Sequence, residues 1–355
     1  MKKYISAFAF IACVFSFSYA QEQFRFTTLT TRDGLPNASV SAIVQDSRGF
    51  IWFGTQNGLA RYDGYNFKIY ENEPFFDNVL SHNQVQTLYL DKDTLWVGTY
   101  GGLNKLDLKT DTITVYQHDP GNPESLNDNL VVSISRDEAG HLWVGTAVGL
   151  DRMDERTGKF IHYIQEKSAK GGLPEVLIRD IHLDSQGTLW VATSGKGLWK
   201  YQDKTDSFLE IPADPKNPKA LPSQFIMSIS EDADGQLWFG SWFGGLSRLT
   251  DRALNTFETA VMADDRIYFI NAEEKGRVLV GTWGGGLFVF SKADGRVQRF
   301  LDSDGRGSIP NNVVYSAMLD ANGVFWIGTN GGGVSHSEKK DIDYKVYQGE
   351  DRKST

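Results

Sequence analysis

One short pattern occurs seven times, and its spacing limits the fold more than any other feature of the chain. It reads Trp52-Phe-Gly-Thr, Trp96-Val-Gly-Thr, Trp143-Val-Gly-Thr, Trp190-Val-Ala-Thr, Trp238-Phe-Gly-Ser, Leu279-Val-Gly-Thr and Trp326-Ile-Gly-Thr. Six or seven positions after each first residue comes a Gly, followed by Leu or Val, so each copy reads as an apolar strand, a turn and the start of another strand. Successive copies lie 44, 47, 47, 48, 41 and 47 residues apart. A period of roughly 40 to 50 residues with only strand-type patterning inside it fits the blades of a β-propeller and not a helical solenoid. A chain of 355 residues would ordinarily suggest two or three domains, but repeats share one core, so seven blades are expected to form one domain.

A second register runs through the units. Asp46, Asp91, Asp137, Asp184, Asp232, Glu273 and Asp320 stand five or six positions before the pattern. Each has an apolar residue six positions earlier, Val40, Val85, Val131, Ile178, Ile226, Ile267 or Val314. Three positions after most of these acids comes Gly, at 49, 140, 187, 235, 276 and 323, where a hairpin needs a positive φ. The blade therefore has four strands: one leading into the acid, the Trp-x-Gly-Thr strand, one starting at Gly-Leu, and a short aromatic one such as Phe67-Lys-Ile-Tyr70. Blade six, with Leu279 for Trp, should pack least regularly.

A propeller must close on itself, because an open blade edge exposes unpaired backbone groups. Phe24-Arg-Phe-Thr-Thr-Leu29 reads as a fourth strand with no first three before it, so it is expected to complete the blade that begins at Asn312. Asp343-Tyr-Lys-Val-Tyr347 is a rival for the same place. The fold class is thus all-β, a single seven-bladed propeller of four-stranded antiparallel blades closed by the N-terminal strand. Residues 21–337 form the domain, and residues 338–355 are an exit segment or the start of a further region.

Residues 1–20 have the layout of a secretory signal: Met1-Lys-Lys, an apolar run from Ile5 to Phe17, and Ser18-Tyr19-Ala20 before the expected cut. A periplasmic location follows. The only cysteine, Cys13, lies in that leader, so the mature chain has no disulfide, thiolate catalysis or Cys-ligated metal. No later apolar run reaches the roughly 18 residues of a membrane span, and no membrane contact is expected after cleavage. The net charge of −9 and the absence of a Lys/Arg run argue against nucleic acid as a partner.

With leader, repeats and register in place, the chain resembles the two-component regulator propeller family. The resemblance rests on units such as residues 131–150, Val-Val-Ser-Ile-Ser-Arg-Asp-Glu-Ala-Gly-His-Leu-Trp-Val-Gly-Thr-Ala-Val-Gly-Leu, and on Asp33-Gly-Leu-Pro-Asn37, and it covers residues 24–337. It implies the periplasmic sensor region of a hybrid sensor histidine kinase of the Bacteroidetes type, where such repeats detect glycans and switch on their degradation. It also implies a second propeller, an immunoglobulin-like module and a homodimer partner. The 355 residues contain no membrane helix, phosphoacceptor helix or nucleotide-binding glycine motif, so the kinase core is absent from them and the chain itself is expected not to be an enzyme.

Candidate ligand residues are those that break the repeat in the turns between second and third strands, since these turns share one face with the loops between blades. They are Gln56, Tyr100, Lys196, Trp242, Phe243, Trp283 and Asn330. Aromatic faces beside amides suit sugar rings, which offer apolar C–H faces and a rim of hydroxyls; packing between blades is the alternative. Arg179 and Arg266, with Asn83, Asn129 and Asn312, stand near the starts of first strands and could line the same mouth, the arginines favouring an anionic sugar. The pattern Trp residues are expected in the core, and the acids before the hairpins are expected to bind backbone amides. The six histidines have no metal-type spacing and no Gly-x-Ser-x-Gly elbow occurs, so no catalytic, metal or cofactor site is assigned. The reading is a periplasmic oligosaccharide-binding sensor domain of a two-component system that regulates polysaccharide use. The alternatives are a secreted polysaccharide lyase or hydrolase, and an interaction scaffold.

Overall fold

The computed structural model describes residues 24–165, 171–260, 262–272, 276–293, 295–303, 305 and 307–337. The signal segment with Cys13, Glu273, the exit segment and the rival strand at 343–347 lie outside them. Among the described residues, 28 strands form seven four-stranded antiparallel sheets, and one 3-10 turn (Thr31–Asp33) follows the first strand. Blades 1 to 6 take their strands in chain order from residues 40–70, 85–116, 131–162, 178–211, 226–260 and 267–300. Blade 7 consists of Val314–Leu319, Phe325–Thr329 and Val334–Ser337, with Phe26–Leu29 as its outer strand. That strand pairs antiparallel from Phe26 opposite Ser337 to Leu29 opposite Val334, so the N-terminal strand closes the ring as expected. The inner strands of neighbouring blades pack side by side around the whole circle.

The repeated residues now acquire physical reasons. Each hydrophobic core lies between two blades; Trp52, Leu59 and Tyr70 of blade 1, for instance, pack on Val85, Leu88, Leu95 and Val97 of blade 2. Trp52, Trp96, Trp143 and Trp190 are fully buried and Trp326 nearly so, as expected of core residues. The glycine of the pattern is there because the next blade leaves no room for a side chain. A β-carbon on Gly54 would meet Val85 at 2.7 Å, and one on Gly145 would meet Ile178 at 2.6 Å. One on Gly328 would meet the Val40 carbonyl at 2.7 Å, across the seam of the ring. The threonine closes the turn, its hydroxyl donating to a glycine carbonyl, as in Thr55 to Gly58 at 2.8 Å and Thr193 to Gly197 at 2.7 Å.

The acids before the hairpins do more than bind amides. Asp46 Oδ1 accepts the amides of Arg48 and Phe50, while Oδ2 accepts the Trp52 indole N–H at 3.0 Å. The same indole bond recurs at Asp137–Trp143, Asp184–Trp190, Asp232–Trp238 and Asp320–Trp326, at 2.7 to 3.1 Å. At Asp46, Asp137, Asp184 and Asp232 burial pushes the pKa up, but the indole and amide bonds, with Arg48, His141, Arg252 and Lys292 beside them, hold the carboxylate below the usual range. Blade 2 is the exception. Its hairpin is one residue shorter, Lys92 takes a positive φ of 55°, and Asp91 turns to Arg136 at 2.8 Å. Trp96 Nε1 is left buried without a partner.

Loops between blades protect the outer edges. Outer-strand amides of Phe160, Phe208, Phe257 and Phe26 donate to the loop carbonyls of Glu124, Gly171, Lys219 and Gly307, at 2.8 to 3.2 Å. In blade 2 the Asn78 side chain takes the amide of Ile113 instead. An exposed strand edge is thereby capped where it could otherwise pair with another chain.

Candidate functional site

Every inner strand carries a one-residue bulge at the same place, with registers shifting between residues 40 and 42, 85 and 87, 131 and 133, 178 and 180, 226 and 228, 267 and 269, and 314 and 316. A bulge adds a residue to one strand and re-aims its side chain. In blades 4, 6 and 7 the extra residues are Arg179, Tyr268 and Tyr315, and these three meet. The Tyr268 and Tyr315 rings lie 4.9 Å apart, and the Arg179 guanidinium sits 5.3 Å from the centre of Tyr268.

Turns between second and third strands stand directly beside the bulges. The first residue after each threonine, or after Ser241 in blade 5, donates its amide to the carbonyl preceding its own inner strand: Gln56 to Ser39, Tyr100 to Gln84, Ser194 to Leu177, Trp242 to Phe225, Trp283 to Arg266 and Asn330 to Val313. The turns of blades 4 to 7 are one residue longer than those of blades 1 to 3. In blades 5 and 6 that length presents Trp242, Phe243 and Trp283. Trp242 and Trp283 lie 5.5 Å apart, and Trp283 touches both Tyr268 and Tyr315 at 5.7 Å, so blades 5, 6 and 7 share one aromatic floor. Phe243 joins it at 5.8 Å from Trp242.

Two departures from the repeat mark the blade 5 turn. Ser241 replaces threonine, and its hydroxyl is buried without a partner. Phe243 sits at φ 61°, a region that a β-carbon makes costly, with its ring 65% exposed. A strained backbone that holds an apolar ring in solvent serves no packing purpose. Tyr100 and Phe225 are also exposed, and Trp242, Trp283, Tyr268 and Tyr315 are partly so. The Tyr315 hydroxyl stays neutral: burial, with Tyr268 and Tyr100 nearby, pushes its pKa up to about 12.

The structure thus joins Trp242, Phe243, Trp283 and Arg179 and adds Tyr268 and Tyr315. Tyr100 lies against His82 at 6.0 Å. Gln56 and Lys196 are exposed on the same face, outside the ring contacts of the cluster. Asn330 accepts from the Ser39 hydroxyl at 3.0 Å. Arg266 holds Asp264 through two bonds of 2.9 and 2.8 Å, which raises the pKa of the guanidinium and occupies its fork. Asn83, Asn129 and Asn312 are loop staples, accepting the amides of Asn72, His118 and Asp302. A cavity of about 380 Å³ beside His141, Arg152 and Glu155 lies at the ends of blade 3 strands on the opposite face, away from the aromatic floor.

The sequence did hold a signal for Tyr268 and Tyr315. Val40 and Ile43, like their counterparts, are three residues apart and both buried, whereas a regular strand buries every second residue. The odd spacing is the trace of the bulge.

The two component regulator propeller model matches residues 34–57, 79–101, 125–147, 172–195, 220–243 and 308–331. These fall on six blades; blade 6, with Leu279, is the unmatched one. A stretch of 67 residues, 19% of this chain, is 43% identical to histidine kinase P4 of Formosa agariphila and covers 5% of that protein. The extracellular domain of a putative hybrid two component system from B. thetaiotaomicron superposes with a TM-score of 0.77 at 25% identity, over 89% of this chain and 42% of that one. Virginiamycin B lyase of Staphylococcus aureus shares the fold, with a TM-score of 0.67 at 16% identity over 89% of this chain and 100% of that one. This chain therefore spans less than half of the length of the sensor and kinase it matches. Among the described residues no helix is long and apolar enough to cross a membrane.

Proposed function

This chain belongs to the two component regulator propeller family, and from that premise we propose that it is the ligand-binding part of an exported sensor in a two-component system. Its likeness to an extracellular domain of a hybrid two component system and the signal-type leader at residues 1–20 support that place. The ligand is an oligosaccharide, bound on the floor made by Trp242, Trp283, Tyr268 and Tyr315, and the output is regulation of polysaccharide use. Binding changes how the propeller docks on a following module or on a second copy, and no bond of the sugar is broken.

The observation that carries the reading is the aromatic floor itself. Partly exposed rings from three blades are in mutual contact, and one more is held in solvent by a strained turn. Apolar ring faces edged by hydroxyl, amide and guanidinium donors match a pyranose, which stacks through C–H groups and hydrogen-bonds at its rim.

The test is calorimetric titration of residues 21–355 with neutral and acidic oligosaccharides, with product analysis on the same samples. Saturable binding that disappears in Trp283→Ala, with the sugar recovered intact, is the expected result. New reducing ends or unsaturated products would make the face an active site instead. Absence of binding across the panel would sink the oligosaccharide reading.

A further inference from the structure

We infer that the sugar bound at this face is anionic, carrying carboxylate or sulfate groups, and that Arg179 is the residue that selects for the charge. This rests on the oligosaccharide reading above and adds the chemical class. Four other partly buried arginines hold acidic partners, whereas among the described residues Arg61, like Arg179, has an aromatic ring in place of one. Arg136 pairs with Asp91 and Glu155, Arg252 with Asp184 and Glu231, Arg152 with Asp206, and Arg266 with Asp264. With 45 acidic against 36 basic residues, a counter-ion is easily supplied.

Arg179 has none. Among the described residues it takes part in no ion pair, its Nε is shielded from solvent without an acceptor, and its guanidinium lies over the Tyr268 ring at 5.3 Å. A guanidinium has five donors in a fixed fork and no acceptor, so a sheltered one is satisfied only by oxygens brought to it. The bulge position it occupies carries no charge in the other blades, where Ser41, Gln86, Val132, Met227, Tyr268 and Tyr315 stand.

Position and charge act together. Tyr268, under the guanidinium, is also in contact with Trp283, and Trp283 with Trp242. A ring stacked on this floor would bring a substituent at its edge to the cation. A neutral sugar offers the fork only uncharged hydroxyl oxygens, whereas a uronate or sulfate pairs with it through two parallel, charge-assisted bonds. The net charge of −9 repels long polyanions, so the class that fits is a short acidic oligosaccharide held by local contacts.

The experiment titrates residues 21–355 with tetragalacturonate, a sulfated chondroitin disaccharide and neutral cellotetraose, in the wild type and in Arg179→Met, Arg179→Lys and Trp283→Ala. Expected is binding of one acidic probe at least about tenfold tighter than cellotetraose, with Arg179→Met removing that advantage and Arg179→Lys restoring only part of it, since an ammonium lacks the fork. Binding of tetragalacturonate assigns the carboxylate; the chondroitin disaccharide carries a uronate too, so comparison with its unsulfated form shows whether sulfate adds to it. Equal affinity for neutral and acidic probes in the wild type, or an Arg179→Met protein that keeps the preference, would overturn the inference while leaving the sugar reading intact. Binding by none of the three, with Trp283→Ala indistinguishable from wild type, would remove both. Should Arg179→Met fail to fold, the wild-type preference and the Arg179→Lys ratio still decide.

Discussion

Asp180 occupies a place where blades 3, 5 and 7 have serine, and the difference has a pH-dependent consequence. Its carboxylate accepts the amide of Ile181 at 2.9 Å and that of Ile229 in blade 5 at 2.7 Å, and it faces the Ser133 hydroxyl of blade 3 at 3.4 Å. Burial dominates these bonds and pushes the pKa from 3.8 up to about 6. A group whose folded pKa is raised contributes stability below the unfolded value, and that contribution is lost as pH rises through about 6. Both oxygens accept amides, so Asn would turn a donor toward one of them; Asp180→Ser instead removes the titrating group, and the stability that wild type loses between about pH 4 and pH 7, about 3 kcal/mol from this carboxyl, should not be lost in the variant. Thermal melts of both proteins across that range measure it, and a variant whose melting temperature falls with rising pH as steeply as that of wild type would refute the account. At this scale the sequence was only partly legible. Trp242, Phe243 and Trp283 stood out because they interrupt a repeat. Tyr268 and Tyr315 did not, because one bulge per strand shifts side chains off the period of two, and that shift is set by pairing with the next strand. Arg266 looked like Arg179 in sequence, but Asp264, only two residues before it, folds back to fill its fork.

The hairpin between first and second strands is the element on which each blade is built, and its length decides whether the tryptophan is satisfied. With six residues from acid to tryptophan, the carboxylate caps the turn with one oxygen and takes the indole N–H with the other, as Asp137 does with Trp143 at 2.8 Å. With five, as in blade 2, Asp91 is drawn to Arg136 and the Trp96 indole is orphaned. Both tryptophans are fully buried, so replacing either by phenylalanine removes similar volume. Trp143→Phe also strips a donor from a sheltered carboxylate, whereas Trp96→Phe removes a donor that has no acceptor. The first should cost about 1 to 2 kcal/mol more than the second in denaturant unfolding. Equal losses would mean that the indole bonds contribute nothing net. The four strands, the positive-φ glycines and the core tryptophans were readable because each obeys a local rule repeated six or seven times. The indole bond was not, since an acid before a tight turn is already explained by the turn. The one-residue difference in blade 2 was visible as a spacing, but its effect on Trp96 needed the hairpin.

Closure makes the stability of the whole ring depend on a strand far away in sequence. Phe26–Leu29 pairs with Val334–Ser337, and Phe24 and Phe26 pack edge-on against Phe300 and Phe325 of blades 6 and 7. The seam is tied again where the Gly333 amide donates to the Ala38 carbonyl at 2.7 Å and where Gly328 leaves room for the Val40 backbone. Inner strands pack along their length on their neighbours in the ring, with only a contact such as Arg179 over Tyr268 reaching further, so a linear array of the same blades would end in two unpacked faces. Without residues 24–29 the blade 7 edge strand loses its partner along its full length, and the aromatic cluster beneath it opens to water. A protein starting at Thr30 is therefore expected to melt at a clearly lower temperature than one starting at Gln21. It should also self-associate with rising concentration, since an unpaired edge accepts a strand from another molecule. Adding the free peptide of residues 22–31 should raise the melting temperature toward the full value, because the blade would regain the same hydrogen bonds from a strand supplied in trans. A truncated protein that melts like the longer one and stays monomeric would show that the blade 7 edge tolerates exposure. The ring would then be held by its inner strands alone.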